Sequence, residues 1–168
     1  FHDSVKLIYD LLADSEITES SLNSLLTGNT IELIVEDVFK KEQKLDSIEG
    51  HNKIIKELII RYIRKVINYD IKVAPFKCEF REDKFEFGFK SPSGLDYMVY
   101  TKIDRIDLKD GVYKIIDYKT GKGENLDKSI EEYFLPNRAK KSNIMFQLLL
   151  YAHVFKRVRP VKDDVVIA

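Results

Sequence analysis

Residues 102–119 read KIDRIDLKDGVYKIIDYK. Asp110 and Gly111 separate two runs in which apolar and polar residues alternate. Such a pair favours a two-residue hairpin turn, because both central positions need positive φ. Lys109 then lies opposite Val112, Leu108 opposite Tyr113, Ile106 opposite Ile115 and Asp104 opposite Asp117. Side chains alternate along a strand, so Asp104, Ile106, Leu108, Tyr113, Ile115 and Asp117 share one face, with Lys119 two residues further on. A three-residue loop with a bulge is the alternative; it slips the register by one and leaves Asp117 diagonal to Asp104. Arg105, Asp107 and Lys114 fall on the opposite face and read as ordinary charges of a solvated edge.

A mostly apolar sheet face thus carries two carboxylates side by side, with an ammonium next to them. Like charges directly opposite on a sheet are destabilising. At about 5 Å separation both do not comfortably stay ionised in a poorly hydrated place. A divalent cation held between Asp104 and Asp117 offsets the repulsion, and oxygen ligands suit such hard ions.

Around this hairpin the chain divides into a helical part, residues 1–70, and a sheet-bearing part, residues 75–168, within one domain. Val5, Ile8, Tyr9 and Leu12 recur at helical spacing, a short helix spans about Thr18 to Leu26, and Thr30 caps a run with Leu33, Ile34 and Val38. The longest helix is expected over about Asn52 to Tyr69, with Ile55, Ile59, Tyr62, Ile63 and Val66 as its stripe. After Pro75 the period falls to two: Phe76, Cys78 and Phe80, then Phe85, Phe87 and Phe89. Helix returns over about Asn143 to Lys156, and Asp164 to Ala168 reads as a strand. The order predicts an α/β fold with a central mixed β-sheet flanked by helices.

With 168 residues, 44% hydrophobic and 33% charged, the chain has material for a real core and is no disordered tail. No apolar run reaches membrane-spanning length, so no membrane contact is expected. The single Cys78 excludes an intrachain disulfide and suits a reducing, cytoplasmic setting. The chain begins with Phe1 inside a helical pattern, as a piece of a longer protein would. The formal net charge is zero, but residues 1–60 carry 12 acids and 6 bases, and residues 61–168 carry 16 acids and 22 bases. Arg138, Lys140, Lys141, Lys156, Arg157, Arg159 and Lys162 form a basic run without an acid. It is either a solvated helix face or a track for a phosphate backbone.

The stretch Lys102-Ile-Asp-Arg-Ile-Asp, followed by Ile115-Ile-Asp-Tyr-Lys-Thr-Gly-Lys, resembles the core motif of the PD-(D/E)XK nuclease superfamily, and most of all the RecB/AddB-type exonuclease domains. Gln147-Leu-Leu-Leu-Tyr151 resembles the family's downstream Gln-x-x-x-Tyr, and the segment from Phe1-His2 to Leu12 its upstream His-bearing helix. Where Gly is common three residues before the first Asp, this chain has Thr101. The resemblance implies a restriction-endonuclease-like core and Mg²⁺- or Mn²⁺-dependent hydrolysis of DNA, in recombinational repair, beside a helicase domain or subunit. It implies Asp104, Asp117 and Lys119 as catalytic residues. His2, Asp104, Asp117 and the Tyr118 backbone carbonyl are implied as metal ligands. Gln147 and Tyr151 line the site and steady DNA, with Arg138, Lys140 and Lys141 as further DNA contacts.

Other readings are a catalytically silent DNA-binding or scaffolding module and an RNA-processing nuclease. Thr120-Gly-Lys-Gly-Glu lacks the spacing of a phosphate loop, so no ATP is expected to bind this segment. Glu79 reads as an outward-facing strand residue, and His51 and His153 as structural or exposed. Phe85, Phe87 and Phe89 read as core more readily than as a base-stacking platform.

Overall fold

The computed structural model describes residues 1–12, 15–121, 134, 143–159 and 164–167. Four helices come first: α1 (His2–Asp10), α2 (Glu19–Thr27), α3 (Thr30–Gln43) and α4 (His51–Val73). Three strands follow, β1 (Lys77–Lys90), β2 (Asp96–Lys109) and β3 (Val112–Ile116), then α5 (Asn143–Val158) and β4 (Asp164–Ile167). The sheet order is β1-β2-β3-β4. The first two pairings are antiparallel and β3–β4 is parallel, so the sheet is mixed. This is the α/β, restriction-endonuclease-like arrangement that the sequence implies.

Local chemistry fixes the start of α2. Thr18 caps α2: its Oγ1 accepts the Ser21 N–H at 3.2 Å, while Ser21 Oγ accepts the Thr18 N–H at 3.0 Å. Thr30 does not cap α3; it is the first helical residue, and Asn29 takes the cap position. The α3 core face is Ile31, Val35, Val38 and Phe39, which leaves Leu33 exposed. In α4 the buried stripe is Ile60, Ile63, Ile67 and Asp70. Ile55, Ile59, Tyr62 and Val66 are half-buried at its margins. Both shifts arise because neighbouring helices, rather than hydrophobicity alone, select the buried face.

Two apolar clusters hold the layers. One lies among α1–α4 and extends to Phe76 and Cys78. The other joins Phe85, Ile103, Ile106 and Ile115 of the sheet to Tyr151, Val154 and Phe155 of α5. The expected hairpin forms without a slip. Asp110 and Gly111 have φ of 51° and 75°, and the ladder pairs Lys109–Val112, Leu108–Tyr113, Ile106–Ile115 and Arg105–Ile116. The three-residue loop is therefore not used.

Two expectations are corrected. Arg105 and Asp107 are not solvated: they are 1% and 4% exposed, because α1 and α4 cover their face of the sheet. Only Lys114 of that trio stays outside, donating to Tyr69 Oη at 3.0 Å. Of the three phenylalanines, only Phe85 is core; Phe87 is half-buried and Phe89 is 44% exposed, because the β1–β2 ribbon outruns the helix packed on it. Among the described residues, no helix is long and apolar enough to cross a membrane.

Candidate metal centre

His2 opens α1, and the same helix face continues through Val5 and Tyr9 into the core. Edge-to-face packing of Phe1 on Tyr118 and of His2 on Tyr118, with centroids 5.8 and 6.2 Å apart, holds the imidazole over the sheet. There its Nδ1 lies 3.2 Å from Asp104 Oδ1 and 3.2 Å from Glu82 Oε1. One ligand atom from each of His2, Glu82 and Asp104 falls within 4.8 Å of the others.

Each carboxylate has one oxygen engaged elsewhere and one turned to His2. Asp104 Oδ2 accepts the backbone N–H of Tyr118 at 2.7 Å. Glu82 Oε2 pairs with Lys102. Hydrogen bonding to Asp104, assisted by the charge of Glu82, raises the His2 pKa above its ordinary value despite partial burial. Two carboxylate oxygens and one imidazole nitrogen suit a hard to borderline divalent cation. The chemistry of this donor set therefore fits the metal that the sequence implies.

Beside this cluster stands a second group of residues. Lys119 Nζ is 2.6 Å from Asp117 Oδ2 and donates to Gln147 Oε1 at 2.9 Å. Gln147 Nε2 in turn donates to Tyr151 Oη at 2.5 Å. Gln147 and Tyr151 are one helical turn apart on α5, which brings both to the end of the hairpin. Asp117 Oδ2 is buried, and its contact with Lys119 is an ion pair without hydrogen-bond geometry. Burial, and then the charge of Asp104, raise the Asp117 pKa; Lys119 opposes this. Burial disfavours the Lys119 ammonium, but Asp117 outweighs it and raises the Lys119 pKa.

A buried network underlies the centre. Arg105 Nε and Nη2 donate to Asp107 at 2.8 and 2.6 Å, and Nη1 donates to Asp70 at 2.7 Å and Tyr118 Oη at 2.9 Å. The guanidinium also lies 4.3 Å from the Tyr9 ring centroid. Tyr118 is thus held at its phenol by Arg105 while its backbone N–H holds Asp104.

The structure therefore gathers His2, Asp104, Asp117, Tyr118, Lys119, Gln147 and Tyr151 at one end of the sheet. Asp117 lies next to the three-donor cluster rather than within it. Arg138, Lys140 and Lys141 lie outside the described residues. Glu79 points away and pairs with Lys77 at 2.7 Å, and His51 and His153 are exposed.

Sequence reasoning missed Glu82. The ladder pairs Arg81–Arg105 and Asp83–Ile103 place it across from Asp104. Its φ is 57°, a left-handed conformation inside a strand. Around it the apolar positions change phase on both strands, from Phe80 and Ile106 to Phe85 and Ile103, yet all four pack on one cluster. That phase change was written in the sequence as alternation on even numbers to Phe80 and on odd numbers from Phe85.

Comparison with known proteins agrees with this geometry. A family model described as the PD-(D/E)XK nuclease superfamily matches residues 1–167. No curated protein and no solved structure matches the chain. A mixed sheet, an acid-rich centre at its hairpin and a family match over nearly the whole length converge on one assignment. The chain belongs to the PD-(D/E)XK nuclease superfamily, whose members are phosphodiester-hydrolysing nucleases that use divalent metal ions.

Proposed function

We propose that this chain is a Mg²⁺- or Mn²⁺-dependent deoxyribonuclease of the RecB/AddB exonuclease type. The carrying observation is the convergence of His2, Glu82 and Asp104 donor atoms within 4.8 Å. On this reading His2, Glu82 and Asp104 hold the cation, and Asp117 and the Tyr118 backbone carbonyl complete its shell. When bound, the cation supplies Lewis-acid polarisation of the phosphoryl group and a nucleophile at neutral pH. Lys119 holds its proton, kept charged by Asp117, and meets the negative charge that grows on the phosphate oxygens. Gln147 orients the Lys119 ammonium through its amide oxygen and is itself fixed by Tyr151. The buried Arg105 network fixes the Tyr118 backbone, and through it Asp104.

The setting that goes with this activity is recombinational repair in the cytoplasm, with the chain as one nuclease domain partnered by a helicase domain or subunit. Arg138, Lys140 and Lys141 belong to its DNA contacts. The test incubates the protein with linear and circular DNA, and with RNA, in Mn²⁺, in Mg²⁺ and in chelator. Metal-dependent loss of linear DNA, abolished by Asp104→Asn, is the expected result. Absence of cleavage under every condition favours a silent DNA-binding module, and preferential cleavage of RNA favours an RNA-processing nuclease.

A further inference from the structure

The end of the β1–β2 ribbon carries rings in an arrangement unlike the core. Phe87 and Phe89 have near-parallel planes, 15° apart with centroids 6.2 Å apart, and Phe89 and Tyr97 are 17° and 5.4 Å apart. The core pairs Phe80–Phe85, Phe80–Phe155 and Phe85–Phe155 all meet edge to face. Phe89 and Tyr97 sit directly opposite each other in the ladder and are 44% and 48% exposed. Unlike the lone Tyr100, Phe89 and Tyr97 are stacked with Phe87 in one cluster, and clustered exposed apolar surface marks an interaction site.

The neighbouring charges select that occupant. Arg157, in the last turn of α5, lies 5.8 Å from the Phe87 ring centroid, and Arg159 lies 5.5 Å from that of Phe80. Both arginines are exposed and belong to the acid-free basic run of residues 138–162. Aromatic faces interleaved with arginines form the standard surface for a single nucleic-acid strand: bases stack and phosphates meet the cations.

The rings share two elements with the metal centre: β1, which carries Glu82 and Phe87, and α5. On α5, Gln147 and Tyr151 belong to the site, while His153, with ring centroids 5.5 Å apart, and Arg157 meet Phe87 from another side of the helix. From Glu82, Phe87 is five strand residues away and Phe89 seven, or roughly 16 and 23 Å. At a stacked rise of about 3.4 Å that is about five to seven nucleotides.

We propose that Phe87, Phe89 and Tyr97, flanked by Arg157, form a stacking track that binds single-stranded DNA leading to or from the metal centre. This rests on the nuclease reading, which gives the strand its destination. Labelled dT12 and dT4 are titrated with the 168-residue chain in chelator, by fluorescence anisotropy, so that binding is read without cleavage. The variant is Phe89→Ala with Tyr97→Ala; Tyr100→Ala, an exposed ring on the other ribbon face, is the control. The expected result is an affinity for dT12 lowered about tenfold or more by the double variant, with dT4 and the control unaffected. Because both residues are exposed, circular dichroism is expected to show an unchanged fold.

Failure to bind dT12, or equal binding by wild type and double variant, overturns the track. So does a double variant that only turns a dimer into a monomer in light scattering, which assigns the rings to a second copy. A larger loss on U12 than on dT12 overturns the choice of DNA. None of these readings depends on cleavage, so the nuclease assignment stands or falls separately.

Discussion

Glu82 lies across the β1–β2 ribbon from Asp104, with the His2 imidazole 3.2 Å from a carboxylate oxygen of each. Two acids facing one another in a ladder are unfavourable unless something shares their charge. Here the sharing is done by His2, by Lys102 and by the Tyr118 N–H, and the remaining oxygens converge. Glu82→Gln is expected to lower Mn²⁺ affinity by at least the roughly 10–100-fold seen for lost outer-shell partners. Calorimetric titration checks this, with Glu79→Gln as the unaffected control.

His2 provides a pH signature in the metal-free protein. Its pKa is raised, foremost by the hydrogen bond to Asp104 and further by Glu82. The stabilisation from its protonated form is complete below the unfolded value of about 6.5 and is lost as pH rises through the higher folded value. Ring-proton NMR is expected to show a midpoint above that of an ordinary histidine. Asp104→Asn is expected to bring it down; a midpoint unmoved by that change contradicts the pairing.

The turn that aligns the hairpin depends on Gly111, whose φ is 75°. A side chain there forces the left-handed region, at about 1–2 kcal/mol for most residues. Gly111→Val is expected to lower the melting temperature by about 2–8 °C for a chain of this size. Gly111→Asn is expected to do less, because asparagine tolerates positive φ. Thermal denaturation of both variants makes the comparison.

Arg105 is the buried centrepiece beneath the site. Arg105→Met strands Asp70 and Asp107 without their cation, and loss of one member of a buried ion pair typically costs about 3–5 kcal/mol. Tyr118→Phe removes only the phenol contact, so denaturant unfolding is expected to show a loss of about 1 kcal/mol. The two denaturation midpoints, measured side by side, test that ranking.

Much of the site was legible because the hairpin is local. Turn chemistry at Asp110-Gly111 sets the ladder as far as Arg105–Ile116, and Asp104, Asp117 and Lys119 follow at its open end without knowledge of any distant contact. Glu82 falls in the break between the two phases, from Phe80 to Phe85, and such a break shows where alternation stops without showing which side chain turns toward Asp104. Arg105 and Asp107 were misjudged for a related reason: alternation shows which residues share a face, but α1 and α4 decide whether that face meets water. The exposure of Phe89 is the converse case, an apolar residue on a ribbon that extends past its covering helix.

The central claim is that His2, Glu82 and Asp104 hold a divalent cation. Anomalous diffraction from crystals soaked in Mn²⁺ tests it most directly. The account predicts an ion bonded to Asp104 together with Glu82 and His2. Manganese found away from these side chains, or none in crystals whose site is open to solvent, contradicts it.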